Sequence, residues 1–131
     1  MTSPTLRRLR PDDVLQGLVC VSVDRVNRSG WFWYWMTADF RGLGWTSRVA
    51  STVADWALTK AGLERLELGH RANNPASGVV ARRAGFIHEG TERAEFLVEG
   101  KRVDVLTYGR LRSDPSPRYV ALPRDDGDGL A

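Results

Sequence analysis

Between Gly30 and Ala57 the hydrophobic pattern changes period, and the change falls across a glycine-bearing loop. Gly30 to Met36 gathers Trp31, Phe32, Trp33, Tyr34 and Trp35 in one short run, an aromatic density that favours a strand serving as core or interface. Arg41 to Gly44 is a short loop. From Trp45 the apolar residues recur at helical spacing, which predicts Val49, Val53, Trp56 and Ala57 on the buried face and a stop at Gly62. Such a junction presents backbone N–H groups at the positive end of a helix dipole, and glycine removes the side chains that would obstruct an anion. The segment Arg41-Gly42-Leu43-Gly44-Trp45-Thr46-Ser47 therefore reads as a pyrophosphate cradle, although ordinary strand-to-helix turns also carry glycines. It lacks the Lys-Ser/Thr ending of a P-loop, and no acidic residue is placed as a dinucleotide fingerprint requires, which disfavours nucleoside triphosphates and nicotinamide cofactors.

Around this junction the chain is punctuated clearly enough to predict a succession of elements. Thr5 to Arg10 is a short strand broken by Pro11-Asp12-Asp13, and Leu15 to Val23 is a second strand carrying Leu18, Val19, Cys20, Val21 and Val23. Beyond the first helix, Leu63 to His70 alternates as a half-buried strand does. A second helix follows, with Asn74 as its cap, Pro75 in the first position, Val79, Val80 and Ala84 as the buried stripe and Gly85 just past the end. Ala94 to Val98 and Lys101 to Arg110, joined by Glu99-Gly100, form an antiparallel hairpin. Residues 1–112 read as one domain; residues 113–131, rich in Pro, Asp and Gly, read as a flexible tail.

A chain of 131 residues supports one hydrophobic core, and its 42% apolar and 27% charged content is that of a folded soluble domain. The formal charge of +3 comes from Arg far more than Lys and is scattered along the chain. That distribution suits an anionic ligand and speaks against a nucleic-acid partner. The single Cys20, between Val19 and Val21, reads as a buried strand residue in a reducing compartment. No apolar run reaches the roughly 20 residues of a membrane span and no leader pattern opens the chain, so the expectation is a cytoplasmic protein with no membrane partner. His70 and His88 are too far apart in this layout to form a ligand set, so no metal is expected.

Two stretches then carry a family resemblance. Tyr34-Trp35-Met36-Thr37-Ala38-Asp39-Phe40-Arg41-Gly42-Leu43-Gly44 resembles the fourth strand and pyrophosphate loop of the GNAT acetyltransferases, whose loop pattern is Arg/Gln-x-x-Gly-x-Gly/Ala. Arg41 and Gly44 match that pattern, while Thr46 replaces its last small residue and Trp45 is bulkier than the usual aliphatic. Asn74-Pro75-Ala76-Ser77 through Ala84-Gly85-Phe86, followed by Glu89-Gly90, is similar to the Asn-x-x-Ser helix and Ala-Gly-Phe turn of the ribosomal-protein N-acetyltransferase branch, RimJ/RimL-like. The resemblance runs from Leu18 to Leu111. It implies an α/β (α+β) fold, a mixed central sheet of about six strands with two main helices. It also implies acetyl-CoA as co-substrate, without a metal, lying between two splayed parallel strands, and transfer of the acetyl group directly to a primary amine, a protein N-terminus or a small-molecule amine.

By the same resemblance, Arg41, Gly42, Leu43, Gly44, Trp45, Thr46 and Ser47 hold the pyrophosphate and Asn74 touches the cofactor, while a backbone N–H near Trp35 or Met36 holds the thioester carbonyl. Glu95 is the general base, or else a solvated strand carboxylate. Ser77 protonates the departing thiolate, or else is simply a first-turn helix serine; no tyrosine on its helix could replace it.

The chain departs from the family pattern at two places. Only Thr5 to Asp13 matches the region in which relatives carry a strand, two helices and another strand, so the sequence reads as N-terminally shortened, without most of the helical arm that walls the acceptor groove. Trp31 and Trp33 stand where many relatives carry glutamate and glycine. An apolar surface left uncovered would be closed either by the extra tryptophans packing inward or by a homodimer. A second reading follows, in which the fold binds acyl-CoA or a protein partner without turnover.

Overall fold

The computed structural model describes residues 17–36 and 44–122, so the strand expected at Thr5 to Arg10 and most of the glycine loop lie outside the described residues. Within them the order is β1 (Gly17–Asp24), β2 (Ser29–Met36), α1 (Trp45–Thr59), β3 (Arg65–Arg71), α2 (Pro75–Arg83), β4 (Ile87–Val98) and β5 (Lys101–Leu111). The strands form one mixed sheet in the order β1-β2-β3-β5-β4. Only β2 and β3 run parallel, and α1 connects them; every other pairing is antiparallel.

Strand alternation assigns the aromatic run of β2 to two faces. Phe32 is buried and Tyr34 half-buried on the face that packs against the helices, together with Leu66, Leu68 and Tyr108. Trp31, Trp33 and Trp35 project from the opposite face, 46%, 42% and 42% exposed, which makes that face the apolar open side of the sheet. Cys20, paired with Trp33 across β1 and β2, is half-buried rather than fully buried, and burial pushes its thiol up.

Both helices set small side chains deepest against the core, beside the larger apolar residues expected there. In α1 the buried residues are Ala50, Ser51, Thr52, Ala54, Ala57 and Leu58, with Val53 and Trp56 packed along the flank. Small side chains bring the helix axis close to the sheet. In α2 the buried residues are Gly78 and Ala81; of the expected stripe, Ala84 at the C-cap is buried and Val80 packs on the core, while Val79 is 37% exposed. A Cβ on Gly78 would stand 2.9 Å from the ring of His70 and 3.2 Å from the hydroxyl of Tyr108, so glycine is what allows α2 to lie on these two polar side chains.

The chain after β5 is not loose up to Leu122. Ser116 and Tyr119 donate hydrogen bonds to Asp55 on α1, the Val120 carbonyl accepts from Arg48, and the Leu122 N–H reaches Thr52. Leu122 itself is buried. The expectation of a flexible stretch from Ser113 is therefore corrected for residues 113–122: the half-buried Asp55 carboxylate, paired with the buried Arg110 guanidinium, collects the polar groups that such a strap offers. Residues 123–131 lie outside the described residues.

Candidate functional site

The parallel ladder between β2 and β3 is short. It consists of Ser29↔Arg65, Gly30↔Leu66 and Trp31↔Glu67. Beyond it β2 continues through Met36 against β1 alone, and β3 continues through Arg71 against β5 alone. The two strands therefore part on their C-terminal side, and among the described residues the facing edge of Phe32–Met36 has no strand partner there. In an open α/β sheet the crevice beyond the C-terminal ends of parallel strands is where ligands are received.

Both helix starts stand at that same side, because α1 follows β2 in the chain and α2 follows β3. Gly44 caps α1 in the left-handed conformation, φ 76°, which favours glycine, and the first helical bond runs from the Arg48 N–H to the Gly44 carbonyl. Gly44 has no side chain to cap α1, the first turn holds no acidic residue, and among the described residues a Cβ added to Gly44 would meet nothing within 4 Å. The start of the helix thus offers a positive dipole end with room in front of it, the arrangement that suits a phosphate. Gly44 is the N-cap of α1 and Trp45, Thr46 and Ser47 are its first three residues; Arg41, Gly42 and Leu43 lie outside the described residues. Trp35 is on β2 just inside the parted region, and Met36 ends the strand.

At the other wall, Asn74 is the N-cap of α2 by position but its side chain makes no capping bond. That leaves its amide uncommitted, against the expectation of a capping role. Ser77 is half-buried in the first turn, and Tyr34 of β2 spans the gap to it. The Tyr34 hydroxyl donates to the Ser77 carbonyl oxygen at 2.8 Å and accepts from Ser77 Oγ at 3.2 Å. Burial pushes the Tyr34 hydroxyl up, the Ser77 hydrogen bond opposing this, and so the phenol stays neutral at ordinary pH. No tyrosine stands on α2, and the one that reaches Ser77 comes from β2. Its signal was the alternation that sets Tyr34 on the same face as Phe32.

Behind Ser77 lies a polar cluster that sequence spacing did not suggest. His70 Nε2 and Arg82 Nη1 each stand 3.3 Å from the Tyr108 hydroxyl, and His70 Nδ1 lies 2.8 Å from the Arg71 carbonyl. The rings of His70 and His88 both pack on Tyr108 with centroids 5.4 Å away, so the two histidines are closer in space than the linear layout suggested. Among the described residues no group of three or more His, Cys, Asp or Glu is arranged to hold a metal ion.

Glu95 is exposed on β4, two strands away from β3 in the sheet order. Register is lost between Glu92↔Val105 and Phe96↔Val103, Ala94 sits at φ 55°, and the Ala94 N–H is held by Asp104 Oδ1 at 2.8 Å. A bulge of this kind re-aims the side chains around it, so simple alternation does not decide which face Glu95 serves. Next to it, Phe96 lies under the Arg71 guanidinium at 5.5 Å, which ties this part of β4 to the end of β3. No hydrogen bond joins Glu95 to Ser77, Tyr34 or α1 among the described residues.

Known proteins resemble this chain in sequence and fold. The chain is 28% identical over 104 residues to the Bacillus subtilis protein YdaF, which carries a provisional assignment as a ribosomal N-acetyltransferase; the match covers 79% of this chain and 57% of YdaF. Among solved structures, a chimera of the Vibrio cholerae spermidine N-acetyltransferase SpeG and hSSAT superposes with a TM-score of 0.71 at 25% identity, covering 79% of this chain and 63% of the chimera. The ribosomal L7/L12 α-N-protein acetyltransferase RimL, solved in complex with coenzyme A, superposes with a TM-score of 0.65 at 27% identity, covering 69% of this chain and 51% of RimL. The chain thus spans less than two thirds of the length of each. No helix among the described residues is long and apolar enough to cross a membrane. The profile of the Acetyltransferase (GNAT) domain matches residues 5–87, most of the parted sheet and both helices, and the chain belongs to that family.

Proposed function

We propose that the chain is an acetyl-CoA-dependent N-acetyltransferase that passes an acetyl group directly to a primary amine. The observation that carries this reading is the parting of β2 from β3 after Trp31↔Glu67, with the starts of α1 and α2 both at the open side. The RimL likeness, solved with coenzyme A, supports the choice of cofactor, and the names of the relatives, ribosomal proteins in two cases and spermidine in a third, support an amine acceptor. Either a protein N-terminus or a small-molecule amine meets that description.

The residues suit the cofactor. Backbone N–H groups of the α1 start, with Gly44 leaving the approach open, would hold the pyrophosphate together with Arg41, Gly42 and Leu43. The unpartnered edge near Trp35 and Met36 would take the pantetheine and polarise the thioester carbonyl, and the uncommitted amide of Asn74 would contact the cofactor from α2. The amine nitrogen bonds to the acyl carbon, the carbon–sulfur bond breaks, and its electron pair leaves on sulfur. Glu95 takes the proton that nitrogen sheds and passes it to solvent. Ser77 gives a proton to sulfur and recovers one from water, so the products are an amide and a thiol.

Calorimetric titration with acetyl-CoA tests the cofactor half. Gly44→Glu places a carboxylate before the pyrophosphate, and Gly44→Asn, a residue that tolerates left-handed backbone, controls for the conformation. The expected result is binding by the native chain and by Gly44→Asn, weakened by about tenfold or more in Gly44→Glu, a change of about 1.4 kcal/mol or more. Equal binding by the two variants would show that the cradle is elsewhere.

A further inference from the structure

We infer that Tyr34 is a positioning residue for Ser77, acting by exchanging hydrogen-bond roles with it when a thiolate leaves. The inference rests on the proposed reading of Ser77 as the proton donor to sulfur.

In the structure the Ser77 proton is spent on Tyr34, and the Tyr34 proton is spent on the Ser77 carbonyl. Left so, Ser77 could serve a sulfur only by abandoning its partner. Both of the tyrosine's contacts, however, belong to a single residue. A turn about the phenolic C–O bond moves the Tyr34 proton from the Ser77 carbonyl oxygen to Ser77 Oγ, with no movement of either backbone. After that turn Ser77 Oγ accepts from Tyr34, and its own proton is free for the sulfur. A hydroxyl that accepts one hydrogen bond is a stronger donor of the next, the more so away from water. No proton passes between the two residues in this exchange; the only one that moves goes from Ser77 to sulfur and is replaced from water.

Three further observations fit a tyrosine placed for this purpose rather than for packing alone. Tyr34 lies in the part of β2 beyond its last pair with β3, and its hydroxyl reaches Ser77 on the helix that follows β3. Its ring is held independently of the hydroxyl, edge-on to Phe32 at 6.0 Å, so removing the oxygen leaves the ring's packing intact. Burial keeps the hydroxyl protonated, as a residue that must donate requires.

The test uses Tyr34→Phe, Ser77→Ala and the double variant of the full chain, and needs no known acceptor. Bound coenzyme A is titrated with base while the thiolate is followed by its ultraviolet absorbance. If Ser77 stabilises the thiolate and Tyr34 supports it, the bound thiol ionises at lower pH than free coenzyme A. Tyr34→Phe then shifts that ionisation upward by about half a pH unit, a roughly threefold change, and Ser77→Ala by more. The double variant matches Ser77→Ala alone, because one residue acts through the other. With an accepting amine, kcat falls about tenfold in Tyr34→Phe while KM for acetyl-CoA stays at the native value. A bound thiol that titrates alike in the native chain and Tyr34→Phe would overturn the inference, as would effects of the two substitutions that add. Absence of any bound thiol in the native chain would overturn the cofactor reading itself, and with it this one.

Discussion

Replacing Asp55 by alanine removes the only carboxylate among the described residues that pairs with the buried guanidinium of Arg110 on β5. Arg110 is 3% exposed and Asp55 26%, and Arg110 Nη2 stands 2.5 Å from Asp55 Oδ1. The remaining satisfaction of Arg110 is one bond from Nη1 to the Ala84 carbonyl at 2.9 Å, while its Nε is buried without a partner. Breaking a buried pair by deleting one partner costs about 3–5 kcal/mol, because the charge left behind stays desolvated. Asp55 is a quarter exposed, so water can reach the vacated position, and alanine is the better helix former by about 0.5 kcal/mol. Both corrections bring the expectation to about 3 kcal/mol. The loss also releases Ser116 and Tyr119, the two side chains that hold the strap on α1. Urea unfolding followed by tryptophan fluorescence, with five tryptophans as reporters, measures this directly. For a chain of this size it corresponds to a fall in Tm of roughly 10 °C. Replacing both partners, Asp55→Leu with Arg110→Met, recovers most of the loss, since no charge remains to be solvated. A single variant within about 1 kcal/mol of the native chain would refute the reasoning and leave Arg110 adequately solvated without its partner.

The pH profile of stability should fall at both ends for identifiable reasons. Burial first, and then Asp55, push the Tyr119 hydroxyl well above its ordinary value, so its contribution is complete below pH about 10 and is lost as pH rises through the folded-state value; Tyr119→Phe should flatten that alkaline limb in urea titrations. On the acid side Arg65 holds Glu89 below the usual carboxylate range, so its contribution is present above pH about 4.5 and is lost on acidification. Glu89→Gln should flatten the acid limb, by less than about 1 kcal/mol because the pair is largely exposed.

What the sequence made legible was local punctuation. Asn74, Pro75 and Gly85 bracket α2 as expected, with Gly85 at φ 85°, and Glu99-Gly100, at φ 50° and 78°, makes the tight turn predicted between β4 and β5. The beginning of β4 was not legible, because His88-Glu89-Gly90-Thr91-Glu92-Arg93 is the polar run of an edge strand and shows no apolar alternation. On the helices Ala57 and Ala84 are buried and Val53, Trp56 and Val80 pack on the core as expected, whereas Val79 is exposed and the small residues Ala50, Ala54, Gly78 and Ala81 lie deepest, because small side chains allow close approach. The strap is invisible locally: Tyr119 and Leu122 hydrogen-bond to α1, 64 and 70 residues away. Likewise the glycine loop and the Asn-x-x-Ser helix could each be found in the chain, but the Tyr34–Ser77 contact joins residues 43 apart and exists only once β2 has parted from β3.

Transfer itself is the most direct test of the account. Thiol release from acetyl-CoA is followed for the native chain and Glu95→Gln against a panel of N-terminal peptides and small polyamines. The account predicts amine-dependent release by the native chain, with at least one accepting amine in the panel, and a fall of about a hundredfold in Glu95→Gln at neutral pH as the carboxylate that takes the amine's proton is lost. Binding of acetyl-CoA without release to any amine, or release unaffected by Glu95→Gln, would contradict it, the first by making the fold a binder and the second by placing the base elsewhere.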